Sequence, residues 1–161
     1  MSEAVDLLLD GPAHELAAAV ASRRVTAGEV TEAALARVEQ SAARHAAFLY
    51  VARPAALEAA REVDRRVAAG EPMPLAGVPL AVKDNINVAG MPSTAGSRIL
   101  EGFVAPDDAT CVARQKAAGC RSCRLVVWMW SSTASPAPAN SSVTTSRAHT
   151  GWPVASTTPW P

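Results

Sequence analysis

Lys83 is the residue through which this sequence could do chemistry. It interrupts the apolar run Gly77-Val78-Pro79-Leu80-Ala81-Val82, and Asp84, Asn85 and Asn87 follow it closely. An ammonium in apolar surroundings has its charged form disfavoured, so a lysine held there can be neutral near pH 7 and accept a proton. A strand-end lysine can also bury its stem and extend its head into water, and sequence physics alone favours that ordinary arrangement. Ser93, Thr94 and Ser97 lie a few residues on. Their hydroxyls are expected to satisfy the backbone of a turn, and none is taken as a nucleophile. The cysteines are Cys111, Cys120 and Cys123, of which only the last two form a C-x-x-C pair, and His14, His45 and His149 are scattered. A zinc site would need two further ligands at suitable spacing, so no metal and no cofactor is expected. A thioredoxin-like motif would need a helix after Cys120, whereas Leu125-Val126-Val127-Trp128 follows.

Lys83 must be carried by a scaffold. The run over 77–82 reads as a short buried strand with turn residues behind it, which places the lysine at the strand's end. Ahead of it, Gly11-Pro12 predicts a helix over 13–22 with Leu16 and Val20 on its apolar stripe. Thr26-Ala27-Gly28-Glu29 matches a capping box, opening a helix that runs to about residue 44. Val30, Ala34, Leu35 and Val38 line its buried face, and Glu32, Arg37, Glu39 and Arg44 read as a solvated outer surface. Phe48-Leu49-Tyr50-Val51 reads as a strand. Pro54 opens a further helix with Leu57, Ala60, Val63 and Val67 at helical spacing and Gly70 at its stop. Asp107-Asp108 precedes a helix over 109–118 that ends at Gly119, with Lys116 favouring the dipole from the last turn. Alternation of helices with short apolar strands indicates an α/β fold.

Composition bounds the partners. The chain has 161 residues, 49% of them hydrophobic, which suffices for one globular domain or part of a larger one. Fifteen basic residues balance fifteen acidic ones, so there is no basic footprint for nucleic acid and no polybasic membrane signal. Acidic residues stand in Met1–Glu15 where a secretory signal needs positive charge, and no apolar run reaches transmembrane length, so a cytoplasmic location is expected. Beyond Gly119 the character changes: every acidic residue and both lysines lie before it, and all four tryptophans after it. From Ser131 to Pro161, eighteen of thirty-one residues are Ser, Thr or Pro. The expected division is a folded portion over 1–119 and a disordered, low-complexity tail over 120–161. A shift of reading frame between Lys116 and Arg124 would account for the step.

The segment LAGVPLAVKDNINVAGMPSTAGSRILEGFVAPDDAT, over 75–110, resembles the amidase signature family, and especially its glutamyl-tRNA amidotransferase A-subunit branch. The string G-V-P-L-A-V-K-D-N, the S-T-A-G-S turn and the Asp-Ala-Thr helix start stand in the family's order, and the likeness extends over about residues 10–119. The resemblance implies an N-terminal part of an α/β fold whose mixed central sheet is flanked by helices. It implies hydrolysis or transfer of amides through a Ser-Ser-Lys triad, a carbon–nitrogen bond chemistry. In that scheme Lys83 deprotonates a bridging serine, which activates a nucleophilic serine, and backbone amides hold the oxyanion. Asp84 and Asn85 become the candidates for positioning the lysine and its turn. The implied partners are a small amide substrate and, for the amidotransferase branch, companion subunits.

The sequence departs from the family after Gly119. The serine-bearing stretch is not found, and Ser131-Ser132 and Ser141-Ser142 have no flanking glycine that would let the backbone form a tight oxyanion loop. The expectation is therefore an amidase-family chain that is truncated and inactive alone. The alternatives are a non-catalytic remnant or binding module using the N-terminal helices, and an interaction protein whose Ser/Thr/Pro-rich tail is the functional part.

Overall fold

The computed structural model describes residues 3–45, 47–120 and 124–127. The elements, in order, are α1 (Glu3–Asp10), α2 (Ala13–Ala21), α3 (Ala27–His45), β1 (Phe48–Val51), α4 (Arg53–Ala68), β2 (Leu80–Lys83), a 3₁₀ turn (Arg98–Leu100), α5 (Thr110–Ala117) and β3 (Arg124–Val127). The three strands form one sheet in the order β1-β3-β2, with β3 antiparallel to β1 and parallel to β2. The sheet is mixed, as the resemblance implied. The central strand of the sheet, β3, stands beyond residue 119. A four-residue apolar run does not reveal by its own pattern that it will be enclosed between two others. The low-complexity stretch from residue 128 onward lies outside the described residues.

The helices are held to one another through their ends and through buried apolar stripes. At the start of α3 the capping box is formed: Thr26 N–H donates to Glu29 Oε2 at 2.8 Å, and Glu29 N–H donates to Thr26 Oγ1 at 3.0 Å. Asp64, from α4, accepts from the amides of Ala27 and Gly28 at 2.7 and 3.2 Å. The free amides of one helix are thus satisfied by the side of another. One turn further on, at the C-terminal end of α4, Arg23 donates to the carbonyl of Ala68 at 2.8 Å. Leu16 and Val20 of α2, Val30 and Ala33 of α3, and Ala60 and Val63 of α4 share one buried cluster with Met73 and Ala76. Ala34, Leu35 and Val38 form a second, against Phe48 and Leu57. Thr31 is fully buried between these stripes, and its hydroxyl finds no hydrogen-bond partner among the described residues.

Two features of this layer differ from the expectation. The acidic segment over 3–10 forms a helix of its own, and it is tied down by Arg37, whose guanidinium donates to the Asp6 carbonyl at 2.7 Å and to both Asp10 carboxylate oxygens at 2.5 and 3.2 Å. Arg37 is therefore half-buried and paired rather than part of a solvated face. The side chain of Arg44 lies outside the described residues, and Glu32 and Glu39 are exposed as expected.

A close backbone contact joins this helical layer to α5. Gly119, at φ 101°, lies against residues 73–76, where a Cβ would come within 2.9 Å of Met73 Cβ and 3.1 Å of the Ala76 nitrogen. Leu75 N–H donates to Ala118 O at 2.8 Å and Gly77 N–H to Gly119 O at 3.3 Å. These bonds take up Gly77, so β2 begins only after Pro79, whose ring nitrogen has no hydrogen to give a ladder.

Hydrogen bonds from the backbone amide and the hydroxyl of Thr26 hold the Glu29 carboxyl below the usual glutamate range. A depressed carboxyl stabilises the fold above the unfolded-state value, about 4.3 for glutamate, and loses that effect as pH falls through the folded-state value. The Tm should therefore fall on acidification from neutral pH into the carboxylate range, and Glu29→Gln should reduce the size of that fall. An equal fall in both proteins would contradict the assignment.

Candidate functional site

Lys83 is the last residue of β2, at the strand end where the sequence placed it. Successive strand residues point to opposite faces, and here Val82 is buried while Ala81 and Lys83 are exposed. The expected buried strand is thus covered on one face, and the lysine stands on the other. The apolar setting that would favour a neutral amine is not supplied by the described residues. A run of apolar residues says only that a strand can be covered; which faces are covered depends on what packs there.

The backbone turns at once after the lysine, Ile86 N–H donating to Lys83 O at 2.9 Å. Asp84 points inward and is 3% exposed. A carboxylate withdrawn from water must be given donors. Thr94 N–H donates to Oδ1 at 3.0 Å, and Gly96 N–H donates to Oδ2 at 3.2 Å. The Thr94 hydroxyl donates to Oδ2 as well. The carbonyl of the same residue accepts from Ser93 Oγ at 2.9 Å. Asp84 therefore fastens the turn over 93–97 to the end of β2. That turn is sharp: Ala95 and Gly96 have φ of 49° and 71°, and Ser97 N–H closes on Thr94 O at 2.8 Å. An alanine in the left-handed region persists only where its neighbours fix it, and the bonds to Asp84 on either side do so.

Of the predicted residues, Lys83 and Asp84 are adjacent at the strand end but on different sides of it: Lys83 is exposed, and the Asp84 carboxylate bonds to Thr94 and Gly96. Asn85 is exposed in the turn. The hydroxyls of Ser93, Thr94 and Ser97 all serve backbone or turn groups, Ser97 Oγ accepting from Ile99 N–H at 3.3 Å. Ser22 and Ser41 donate to the helix carbonyls of Ala18 and Val38. Among the described residues, then, every serine is engaged with backbone. No group of His, Cys, Asp or Glu that could hold a metal ion occurs among the described residues. Cys111 is exposed; Cys120 is buried, and burial pushes its thiol up, away from the reactive thiolate. Cys123 lies outside the described residues.

Sequence reasoning missed Asp108. It was legible only as a helix start, yet its carboxylate accepts from Ala89 N–H at 2.9 Å and pairs with Lys116. Lys116 reaches back along α5 to a carboxylate rather than serving only the dipole of its last turn. The spacing of Asp108 and Lys116, two helical turns apart with the acid outside the helix, is not among the side-chain pairs that sequence rules mark.

A mixed sheet flanked by helices, with a lysine closing one strand beside a turn held by a buried carboxylate, defines an α/β protein. The chain belongs to the amidase family, whose model, described as "Amidase", matches residues 29–123. The A subunit of glutamyl-tRNA(Gln) amidotransferase from Mycobacterium tuberculosis is 48% identical over 114 residues, which are 70% of this chain and 23% of that protein. Its counterpart from Salinispora arenicola is 55% identical over 108 residues, 66% of this chain and 22% of that protein. The chain thus spans about a quarter of the length of the curated relatives it matches. Among solved structures, the peptide amidase of Stenotrophomonas maltophilia superposes with a TM-score of 0.64 at 34% identity, covering 74% of this chain and 24% of that one. A fatty acid amide hydrolase superposes at 0.72 with 18% identity, over 79% of this chain and 22% of that one, and shares the fold. No helix among the described residues is long and apolar enough to cross a membrane.

Asp84→Asn keeps the shape of the staple but replaces two acceptors by one acceptor and a donor facing N–H groups. It should destabilise the protein by about 1–3 kcal/mol, with the amides of Thr94 and Gly96 losing hydrogen-exchange protection first. Unchanged protection at both amides would show that the carboxylate is not what holds the turn.

Proposed function

We propose that this chain carries the lysine-bearing part of an amidase site, for amide hydrolysis or amidotransfer. The observation that carries the reading is Lys83 at the end of β2, inside the family match and beside the turn that Asp84 staples. In this reading Lys83 takes the proton of a bridging serine, which activates a second serine to attack an amide carbonyl and form an acyl-enzyme. Asp84 and Asn85 support the turn that presents the lysine. The substrate is a small amide, and the relatives named as amidotransferase subunits suggest companion chains for the transfer reaction.

The chain acting alone is proposed to be inactive. Its described serines are bound to backbone, and Lys83 stands on an exposed strand face. One member of a triad cannot form the acyl-enzyme. The exposure of Lys83 favours one second reading, a non-catalytic remnant or binding module that retains the scaffold.

A chimaera separates the two. Residues 29–123 of this chain would replace their counterpart in the amidotransferase relative from M. tuberculosis, and amide hydrolysis would be measured. The chimaera should be active, and Lys83→Ala within it should lower kcat/KM by roughly 10³-fold or more. A folded but inactive chimaera, or one indifferent to Lys83→Ala, would favour the remnant. The isolated chain should show no turnover of glutamine or simple amides above background.

A further inference from the structure

We infer that Asp108, clamped by Lys116, is a positioning residue for the turn that carries Lys83; this rests on the reading of Lys83 as the site lysine. The turn leaves β2 at Lys83 and returns through Val88 and Met91, both buried against Val82 of β2 and Val112 of α5. Apolar packing fixes where this loop lies, yet it is non-directional and does not fix the rotation of individual peptide planes. Four hydrogen bonds to the segment entering α5 do that. Asn87 O accepts from Ala109 N–H at 2.9 Å, Ala89 N–H donates to the Asp108 carboxylate at 2.9 Å, Gly90 N–H donates to Ala105 O at 2.8 Å, and Met91 O accepts from Ala105 N–H at 3.0 Å. Of the four, only the Asp108 bond involves a side chain, so it alone can be altered without breaking the main chain.

Lys116 gives that side chain its fixed direction. The pair is mostly withdrawn from water, with side chains 15% and 21% exposed for Lys116 and Asp108. A charge-assisted pair of this kind is shorter and more directional than a neutral hydrogen bond. The carboxylate is thereby held with one oxygen toward the loop. The turn is then fastened at both ends by acids: Asp84 joins its start to the turn over 93–97, and Asp108 joins its return to α5. Between these anchors stand Asn85 and the exposed face bearing Lys83. A lysine base in acyl transfer must be placed closely to accept a proton, and its backbone is what these anchors orient.

Amide exchange and two-dimensional NMR on the full chain test this. With Asp108→Asn, protection of the Ala89 amide should fall roughly tenfold or more, and the backbone signals of residues 83–91 and the Lys83 Cε signal should shift. The Ala118 amide, which donates to Arg114 O at 3.0 Å at the end of α5, should keep its protection. Lys116→Gln, which leaves the carboxylate in place but releases it, should produce the same pattern with smaller shifts, and it covers the case in which Asp108→Asn does not fold. Loss of Ala118 protection together with Ala89 would mean that the pair merely stabilises α5 and would overturn the inference, as would an unmoved Lys83 signal in both variants. These readouts do not depend on amide chemistry. A failure of the amidase reading would appear instead as indifference of the chimaera to Lys83→Ala.

Discussion

A buried carboxylate without a cation has to be surrounded by donors, and the site region of this protein is built around that requirement at Asp84. Its three donors come from Thr94 and Gly96, ten and twelve residues downstream. Bringing them to the end of β2 forces the chain into the left-handed bend at Ala95 and Gly96. It also sets up the narrow ribbon in which Pro92 and Val104 form an antiparallel bridge. The ribbon leads through Ala105 into α5, and just past the end of α5 stands Gly119, whose missing side chain lets its backbone approach residues 73–76. Satisfying one acid thereby connects the strand carrying Lys83 to the helix that leads into the central strand.

The helical half was legible in the sequence wherever a local device decides the structure. Thr26 and Glu29 cap α3 as their spacing indicates, and Gly70 takes a left-handed φ of 77° just past α4. What escaped sequence reading depends on partners far along the chain. Arg37 looks like any outer-face arginine until α1 folds back to it. Arg124–Val127 looks like the beginning of a compositionally odd tail, although it lies between β1 and β2. The site was legible in the same uneven way. Lys83 and the turn hydroxyls stand where the spacing placed them, and Asp84 was singled out only through the family resemblance. Its role as a staple was not legible, because its acceptors are aimed at residues in another turn. The exposure of Lys83 is the arrangement sequence physics favoured for a strand-end lysine; which face of the strand would be covered was not legible, because an apolar strand is equally consistent with one covered face or two.

That exposure shapes the functional reading. A lysine becomes a base when water is excluded around it, and the energy for exclusion must come from packing on its own face of the sheet. Here the described residues provide the orienting part of a site, in backbone and buried acids, and leave the covering part unprovided. The family match and the fold agree that this scaffold is that of an amidase-family chain.

The central claim is that Lys83 stands open on an oriented turn while Lys116 is sequestered with Asp108. The chain has only these two lysines. Acylation of the intact protein with a limiting amine-reactive ester, read peptide by peptide by mass spectrometry, distinguishes them directly. Lys83 should be modified several-fold faster than Lys116, and unfolding the protein should abolish the difference. A Lys83 modified as slowly as Lys116 in the native protein would mean that its face is covered, and would contradict the account.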